Sequence, residues 1–193
     1  MLVAMIIIVS GLPRSGTSMM MRILEKGGVP VLTDNIRKAD KDNLKGYYEF
    51  ERVKQLDRDT EWLFQAECKA VKIISALLKH LPMDHEYKVI FMERDIDEIL
   101  ASQRKMIERR GEEIQLASDE VMKGVFEKHI SNVKEFLKER GIETLYISYN
   151  DVLDDPIENV QRVNEFLLWD LDIERMVEVV NPDLYRQRSD QLS

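Results

Sequence analysis

Ile6-Ile7-Ile8-Val9-Ser10-Gly11-Leu12-Pro13-Arg14-Ser15-Gly16-Thr17-Ser18 runs an apolar strand into a glycine-punctuated turn and then into a helix start. That order predicts a phosphate cradle. In such a turn successive backbone N–H groups converge on an anion, and the first turn of the helix adds its unpaired donors and positive dipole end. Gly11 and Gly16 allow close backbone approach, while Arg14, Ser15, Thr17 and Ser18 bring a charge and hydroxyls. The Gly11-x-x-x-x-Gly16 spacing is that of the ATP/GTP loop G-x-x-x-x-G-K-[ST], but Thr17 stands where lysine belongs. Without that lysine on the β- and γ-phosphates, nucleotide hydrolysis and kinase chemistry lose a central contact, and the cation has moved into the loop as Arg14. A plain strand-to-helix turn is the alternative reading of the glycine pair alone; strand, loop and helix in sequence favour an anion site.

Length and composition bound the rest. The 193 residues, 44% hydrophobic, suit one globular domain, read as residues 1–193. A net charge of −8 disfavours general binding to nucleic acid or anionic membranes, so an anionic ligand must be held locally. The single Cys68 excludes an internal disulfide and points to a reducing, cytoplasmic setting. Leu2 to Val9 is too short to span a membrane and lacks the flanks of a signal peptide, so it reads as the first strand. Nothing in the sequence fixes the oligomeric state.

Strand-like and helix-like segments alternate along the chain. Helix one is expected from Gly16 to Lys26, stopped by Gly27-Gly28. Val29 to Tyr48 is polar and irregular, with Lys41, Asp42, Asn43 and Gly46 marking a pocket-shaping excursion. Ala70 to Ile74 reads as strand two, followed by a helix near Ala76 to Leu81 that Pro82 ends. Lys88 to Met92 reads as an inner strand, and a helix follows through Ile96, Ile99, Leu100, Gln103 and Met106. Apolar residues from Val121 to Leu137 recur at helical period, which predicts a long amphipathic helix with its apolar face in the core. Leu145 to Tyr149 reads as a strand, and Pro156 opens a helix through Leu167. The expected fold class is α/β: a P-loop-type three-layer fold with a central parallel sheet covered by helices on both faces, and ligands at its carboxyl edge.

At that edge a second constellation stands out, Glu93-Arg94-Asp95-Ile96-Asp97-Glu98-Ile99-Leu100-Ala101-Ser102. Arg94 leaves a strand end and Ser102 lies eight residues on, along a helix whose side chains lean back toward its start. The two can grip one anion; equally, Arg94 can pair with Asp95 or Asp97 while Ser102 is an ordinary helix hydroxyl.

Taken together, Pro13 to Ser18, the Arg94/Ser102 pair, and Tyr149-Asn150-Asp151 with Asp155-Pro156 resemble the PAPS-dependent sulfotransferases, over about residues 5 to 167. The resemblance implies that the donor is 3′-phosphoadenosine 5′-phosphosulfate (PAPS), the product PAP, and that no metal is needed. It places the 5′-phosphosulfate on Arg14, Ser15, Gly16, Thr17 and Ser18, the 3′-phosphate on Arg94 and Ser102, and Tyr149 near the adenine. Lys72 matches a lysine that assists transfer. The acceptor, a small molecule offering a hydroxyl or, as the lesser alternative, an amine, such as a sugar, phenol or lipid, would be recognised in the least matched region, Gly28 to Ala70. Residues 28–50 and 105–120 are the candidate acceptor or lid segments.

The departures carry information too. Arg14 replaces the family's loop lysine and keeps its charge. Met19 stands where cytosolic members carry an aromatic for the adenine. The family's catalytic histidine falls at Ile74; His80-Leu81-Pro82 lies too close to Arg94 to supply it, and His80 reads as a helix-end cation. The C-terminal Arg-Lys-Gly clamp is absent, which leaves Arg186 or Arg188 as substitutes. Another group must then take the acceptor proton. Glu49, in Gly46-Tyr47-Tyr48-Glu49-Phe50-Glu51, is the candidate base, with Glu51 behind it, because other family branches use glutamate. The alternative is that both merely charge the start of a helix.

Other residues read as structural. His129 belongs to the apolar stripe, Met19-Met20-Met21 to packing beneath the loop, and Trp62, Phe64 and Trp169 to the core. Arg104, Lys105, Glu108, Arg109, Arg110, Glu112 and Glu113 form a mixed, solvated helix end. Two rival functions fit part of the pattern: a P-loop small-molecule kinase, with Asp95 as its magnesium acid, and a catalytically weak nucleotide-binding module.

Overall fold

The computed structural model describes residues 4–34, 36, 46–111 and 117–180. The segments carrying Lys41, Asp42, Asn43, Glu112, Glu113, Arg186 and Arg188 lie outside the described residues. Four strands, β1 (Met5–Gly11), β2 (Ala70–Lys72), β3 (Glu86–Glu93) and β4 (Glu143–Ser148), form one sheet in the order β2-β1-β3-β4. Every pairing is parallel, with Val9 opposite Lys72 on one side and Ile90 on the other. The α/β class with a parallel central sheet is therefore as expected. Near-continuous apolar runs such as Ile6 to Val9 are what a strand buried on both faces requires.

Alternation along β1 divides the core. Ile7 and Val9 pack with α1 (Thr17–Lys26), α4 (Tyr149–Asp154), α5 (Pro156–Leu167) and α6 (Ile173–Val177). Ile6 and Ile8 face the opposite layer. That layer holds three short 3-10 helices at Glu51–Gln55, Glu61–Ala66 and Ser75–His80, together with the C-terminal half of α3 (Asp119–Glu139). The remaining helix, α2 (Ile96–Arg110), leaves the carboxyl end of β3. Its start is fixed by Asp95, whose side chain accepts from the amides of Asp97 and Glu98. Asp155 caps α5 in the same way, with Pro156 at the first position.

Three expectations are corrected. The apolar stripe of α3 is core only in its second half: Val133 and Leu137 are buried, whereas Val121 and Val125 are 57% and 54% exposed. At 1.5 Å per residue this 21-residue helix runs ~32 Å, whereas the eight residues of β3 reach only ~26 Å, so its first turns overhang the carboxyl edge. Ion pairs from Lys123 to Asp97 and from Asp119 to Arg104 tie that overhang to α2. Phe64 is 68% exposed and no core anchor, because its 3-10 helix turns Trp62, Leu63 and Ala66 inward instead. Tyr149 does not end strand β4 but begins α4, since the Ser148 hydroxyl accepts from the Asp151 amide and caps a helical turn there.

Candidate functional site

The loop 11–16 turns through three left-handed residues, Gly11 (φ 146°), Arg14 (φ 77°) and Gly16 (φ 98°). Arg14 is not glycine and holds this conformation against its own Cβ, a strain that persists only where the surroundings impose it. No side chain caps α1, so the N–H groups that a helix leaves unpaired at this end face the loop. Ser15 Oγ is fully buried and has no hydrogen-bond partner among the described residues, as expected of a hydroxyl that an incoming oxyanion would satisfy. Ser18 Oγ donates to the Tyr47 carbonyl at 3.3 Å.

Gly16 is required twice over. A Cβ there would lie 2.4 Å from Cδ2 of Tyr149, whose ring packs directly on the loop, and the residue has positive φ. Gly16→Ala is expected to lower stability by about 1–2 kcal/mol from the backbone alone, with a further loss as Tyr149 is displaced. Urea denaturation reads this, and an unchanged midpoint would show that the loop relaxes freely.

Beside the loop, the structure joins the residues assigned to two different phosphates. Arg14 Nε donates to Ser102 Oγ at 2.9 Å, and Arg94 Nη1 donates to the Arg14 carbonyl at 3.1 Å. The Arg94 guanidinium stacks 4.5 Å from the centre of the Tyr149 ring. Burial raises the Tyr149 hydroxyl above the usual phenol range despite the two nearby arginines, so it stays a neutral donor at physiological pH. Arg94 bonds neither Asp95 nor Asp97 as its anchor: Nε donates to Oε2 of Glu98 at 2.9 Å. Glu98 has no exposed surface, and its other oxygen accepts from Nδ2 of Asn150 at 3.3 Å. The sequence reading gave Glu98 and Asn150 no role of their own, although Glu98 and Ser102, at i and i+4, share one face of α2, the face beside the arginine that enters the helix.

On the other side of the loop, Lys72 extends from the end of β2, nearly buried. Its ammonium donates to the Tyr47 carbonyl and lies 3.7 Å from a Glu49 oxygen. Glu51 is turned elsewhere, bonded to Lys54 at 2.8 Å on the surface. Of the two candidate bases the structure thus brings Glu49, and not Glu51, to the cation beside the loop. Ile74 is partly exposed at the strand end, and its neighbour Ser75 lies 2.8 Å from Nε2 of His129. Burial, reinforced by Lys79, lowers the affinity of His129 for a proton and keeps the imidazole neutral. His80 ends the 3-10 helix before Pro82. Asp95, the acid a kinase reading would give to magnesium, is committed to capping α2.

A cavity of about 270 Å³ opens beneath the α3 overhang, bounded by Leu12, Ser15, Phe91, Arg94, Lys123 and Ile130. Among the described residues, no helix is long and apolar enough to cross a membrane.

Comparison with curated protein sequences yields no significant match. Among solved structures, the chain is similar to the sulfotransferase domain of the olefin synthase from Synechococcus PCC 7002, at 14% identity and a TM-score of 0.58, over 98% of this chain and 82% of that one. It is also similar to the sulfotransferase STF9 from Mycobacterium avium, at 14% identity and a TM-score of 0.52, over 90% and 66%. A sulfotransferase from Alicyclobacillus acidocaldarius matches at 14% identity and a TM-score of 0.50, over 97% and 98%. At such identities the likeness speaks for the fold. The model of the sulfotransferase domain matches residues 5–186, nearly the whole chain, a span within which the loop, the Arg94–Ser102 cluster and the Lys72–Glu49 pair all lie. With that match, the chain belongs to the sulfotransferase domain family and is a sulfotransferase.

Proposed function

We propose that the chain moves the sulfuryl group of PAPS to the hydroxyl of a small acceptor by in-line displacement, releasing PAP. The observation that carries this reading is the cluster Arg14, Ser102 and Arg94 at one flank of the loop, with Lys72 and Glu49 at the other. Two cationic sites on one loop suit a donor phosphorylated at both its 5′ and 3′ ends.

In this reading the loop amides and the hydroxyls of Ser15, Thr17 and Ser18 bind the 5′-phosphosulfate. As the sulfur–oxygen bond to PAP breaks, negative charge grows on the bridging oxygen, where Arg14 and the helix start stabilise it. Lys72 steadies the sulfuryl oxygens, and Glu49 takes the acceptor proton as its oxygen attacks sulfur. Arg94 and Ser102 hold the 3′-phosphate, and Tyr149 flanks the nucleoside. These cations and N–H groups do the stabilising that magnesium does for nucleoside triphosphates, so the reading needs no metal. Acceptor recognition is assigned to residues 28–50 and 105–120.

Thermal unfolding with PAP, PAPS, ATP plus magnesium and GTP plus magnesium tests the reading. A ligand at about a hundred times its Kd adds roughly 2.7 kcal/mol, or about 5–10 °C for a domain of this size. PAP and PAPS are expected to give that shift and the triphosphates to give little. Stabilisation by the triphosphates alone would overturn the reading.

A further inference from the structure

Glu98 is the one fully buried acidic side chain among the described residues, and the transfer chemistry above gives it no task. We propose that Glu98 is a positioning residue that sets selectivity for a 3′-phosphorylated donor by fixing the guanidinium of Arg94. The inference rests on the reading that Arg94 and Ser102 receive the 3′-phosphate.

The guanidinium is held from three directions by three separate pieces of chain. Glu98, in the first turn of α2, accepts from Nε at 2.9 Å; the Arg14 carbonyl accepts from Nη1 at 3.1 Å; the Tyr149 ring lies against its face. Asn150 in turn holds the second Glu98 oxygen, so the carboxylate cannot swing away with the arginine. A guanidinium is a rigid planar fork, and fixing Nε and one terminal nitrogen fixes the direction of every other N–H. A phosphate arriving here meets donors already aimed, and the cost of ordering a long side chain is not charged against binding.

A second effect of Glu98 has the opposite sign. Its negative charge close to an anion site repels the ligand. Substitution decides between the two. Glu98→Gln keeps the volume but replaces the charge-assisted bond to Arg94 Nε with a weaker neutral one, so it loosens the guanidinium, and it turns its amide toward Asn150, which can rotate to present Oδ1. If repulsion dominates, PAP binding tightens. If positioning dominates, it loosens by roughly tenfold, the order expected for releasing one rotamer-rich side chain. Glu98→Asp keeps the charge but withdraws it by one methylene, so positioning predicts a similar loss there.

Calorimetric titration of the full chain with PAP and with adenosine 5′-phosphate, which lacks the 3′-phosphate, is the test. Wild type is expected to prefer PAP. Both Glu98 variants should lose roughly tenfold in PAP affinity and stay within about twofold for adenosine 5′-phosphate. Adding Glu98→Gln to Arg94→Lys should cost PAP nothing further, since the carboxylate acts only through the arginine. Asn150→Ala, which leaves the ion pair intact, should weaken PAP a few-fold with the same ligand pattern, and it keeps the test open if the Glu98 variants unfold. Unchanged or tighter PAP binding, or an equal loss for both ligands, would overturn the proposal. Wild type binding both ligands alike would overturn the assignment of the 3′-phosphate itself, a result visible before any variant is made.

Discussion

Arg94→Ala is expected to lower the stability of the fold by about 3–5 kcal/mol, the usual cost of removing one partner from a buried ion pair. The side chain of Arg94 is 8% exposed and that of Glu98 0%, so water cannot replace the lost guanidinium. A surface pair of the same geometry would cost at most about 1 kcal/mol. Urea denaturation of both proteins measures the difference, provided the dependence on denaturant is unchanged. The sign of the pH dependence offers a second check. In the variant, protonation of Glu98 removes the buried charge that the arginine had balanced, and the folded form takes up that proton more readily than the unfolded chain does. The deficit should therefore shrink as pH falls and widen as it rises. Combining Arg94→Ala with Glu98→Gln should recover part of the loss at neutral pH. A variant within 1 kcal/mol of wild type would mean that water reaches the carboxylate in solution.

This buried pair also marks where reading the sequence stops. The loop was legible because its chemistry is local: a strand, two glycines, a cation and a helix start lie within 13 consecutive residues. The parallel sheet was legible for a similar reason, since runs such as Ile6 to Val9 and Val89 to Met92 leave no polar face to turn toward water. Arg94 has four carboxylates within four residues, Glu93, Asp95, Asp97 and Glu98, and charge alone does not choose among them. Helix geometry does. Glu93 pairs with Lys134, Asp95 is spent on the helix start, Asp97 pairs with Lys123 at the surface, and only Glu98, in the first turn of α2 and one turn before Ser102, meets the arginine that enters the helix. The overhang of α3 was hidden for another reason: periodicity reports that a helix has an apolar face, but not how far the sheet beneath it extends.

The choice between Glu49 and Glu51 turns on a boundary that sequence patterns fix poorly. The two lie two residues apart in one polar and aromatic run, and either suits a helix start equally well. In the structure the 3-10 helix begins at Glu51, which places that side chain outward beside Lys54 and leaves Glu49 in the extended segment crossing in front of Lys72. Tertiary pairing settles this arrangement, since Asp34 accepts from the Glu51 amide at 2.6 Å and the Thr33 hydroxyl donates to the Glu49 carbonyl at 2.9 Å.

Glu49→Gln is accordingly expected to reduce sulfuryl transfer by about a hundredfold or more, the usual worth of a general base, while PAP affinity and fold are retained. The acceptor must first be found by screening phenols, sugars and lipids with labelled PAPS. Because Glu49 also lies against Lys72, a loss of rate alone does not separate proton transfer from a displaced lysine. The pH profile does. A carboxylate base loses rate on the acid side as it takes up its proton, and that limb should vanish in Glu49→Gln, whereas displacement of Lys72 would lower the whole profile and leave the limb in place. Lys72→Ala provides the complementary pattern, a lower rate with the acid limb intact. If Glu49→Gln transfers normally and Glu51→Gln does not, the base is Glu51; if neither changes the rate, the acceptor proton leaves by a route that uses no glutamate of this segment.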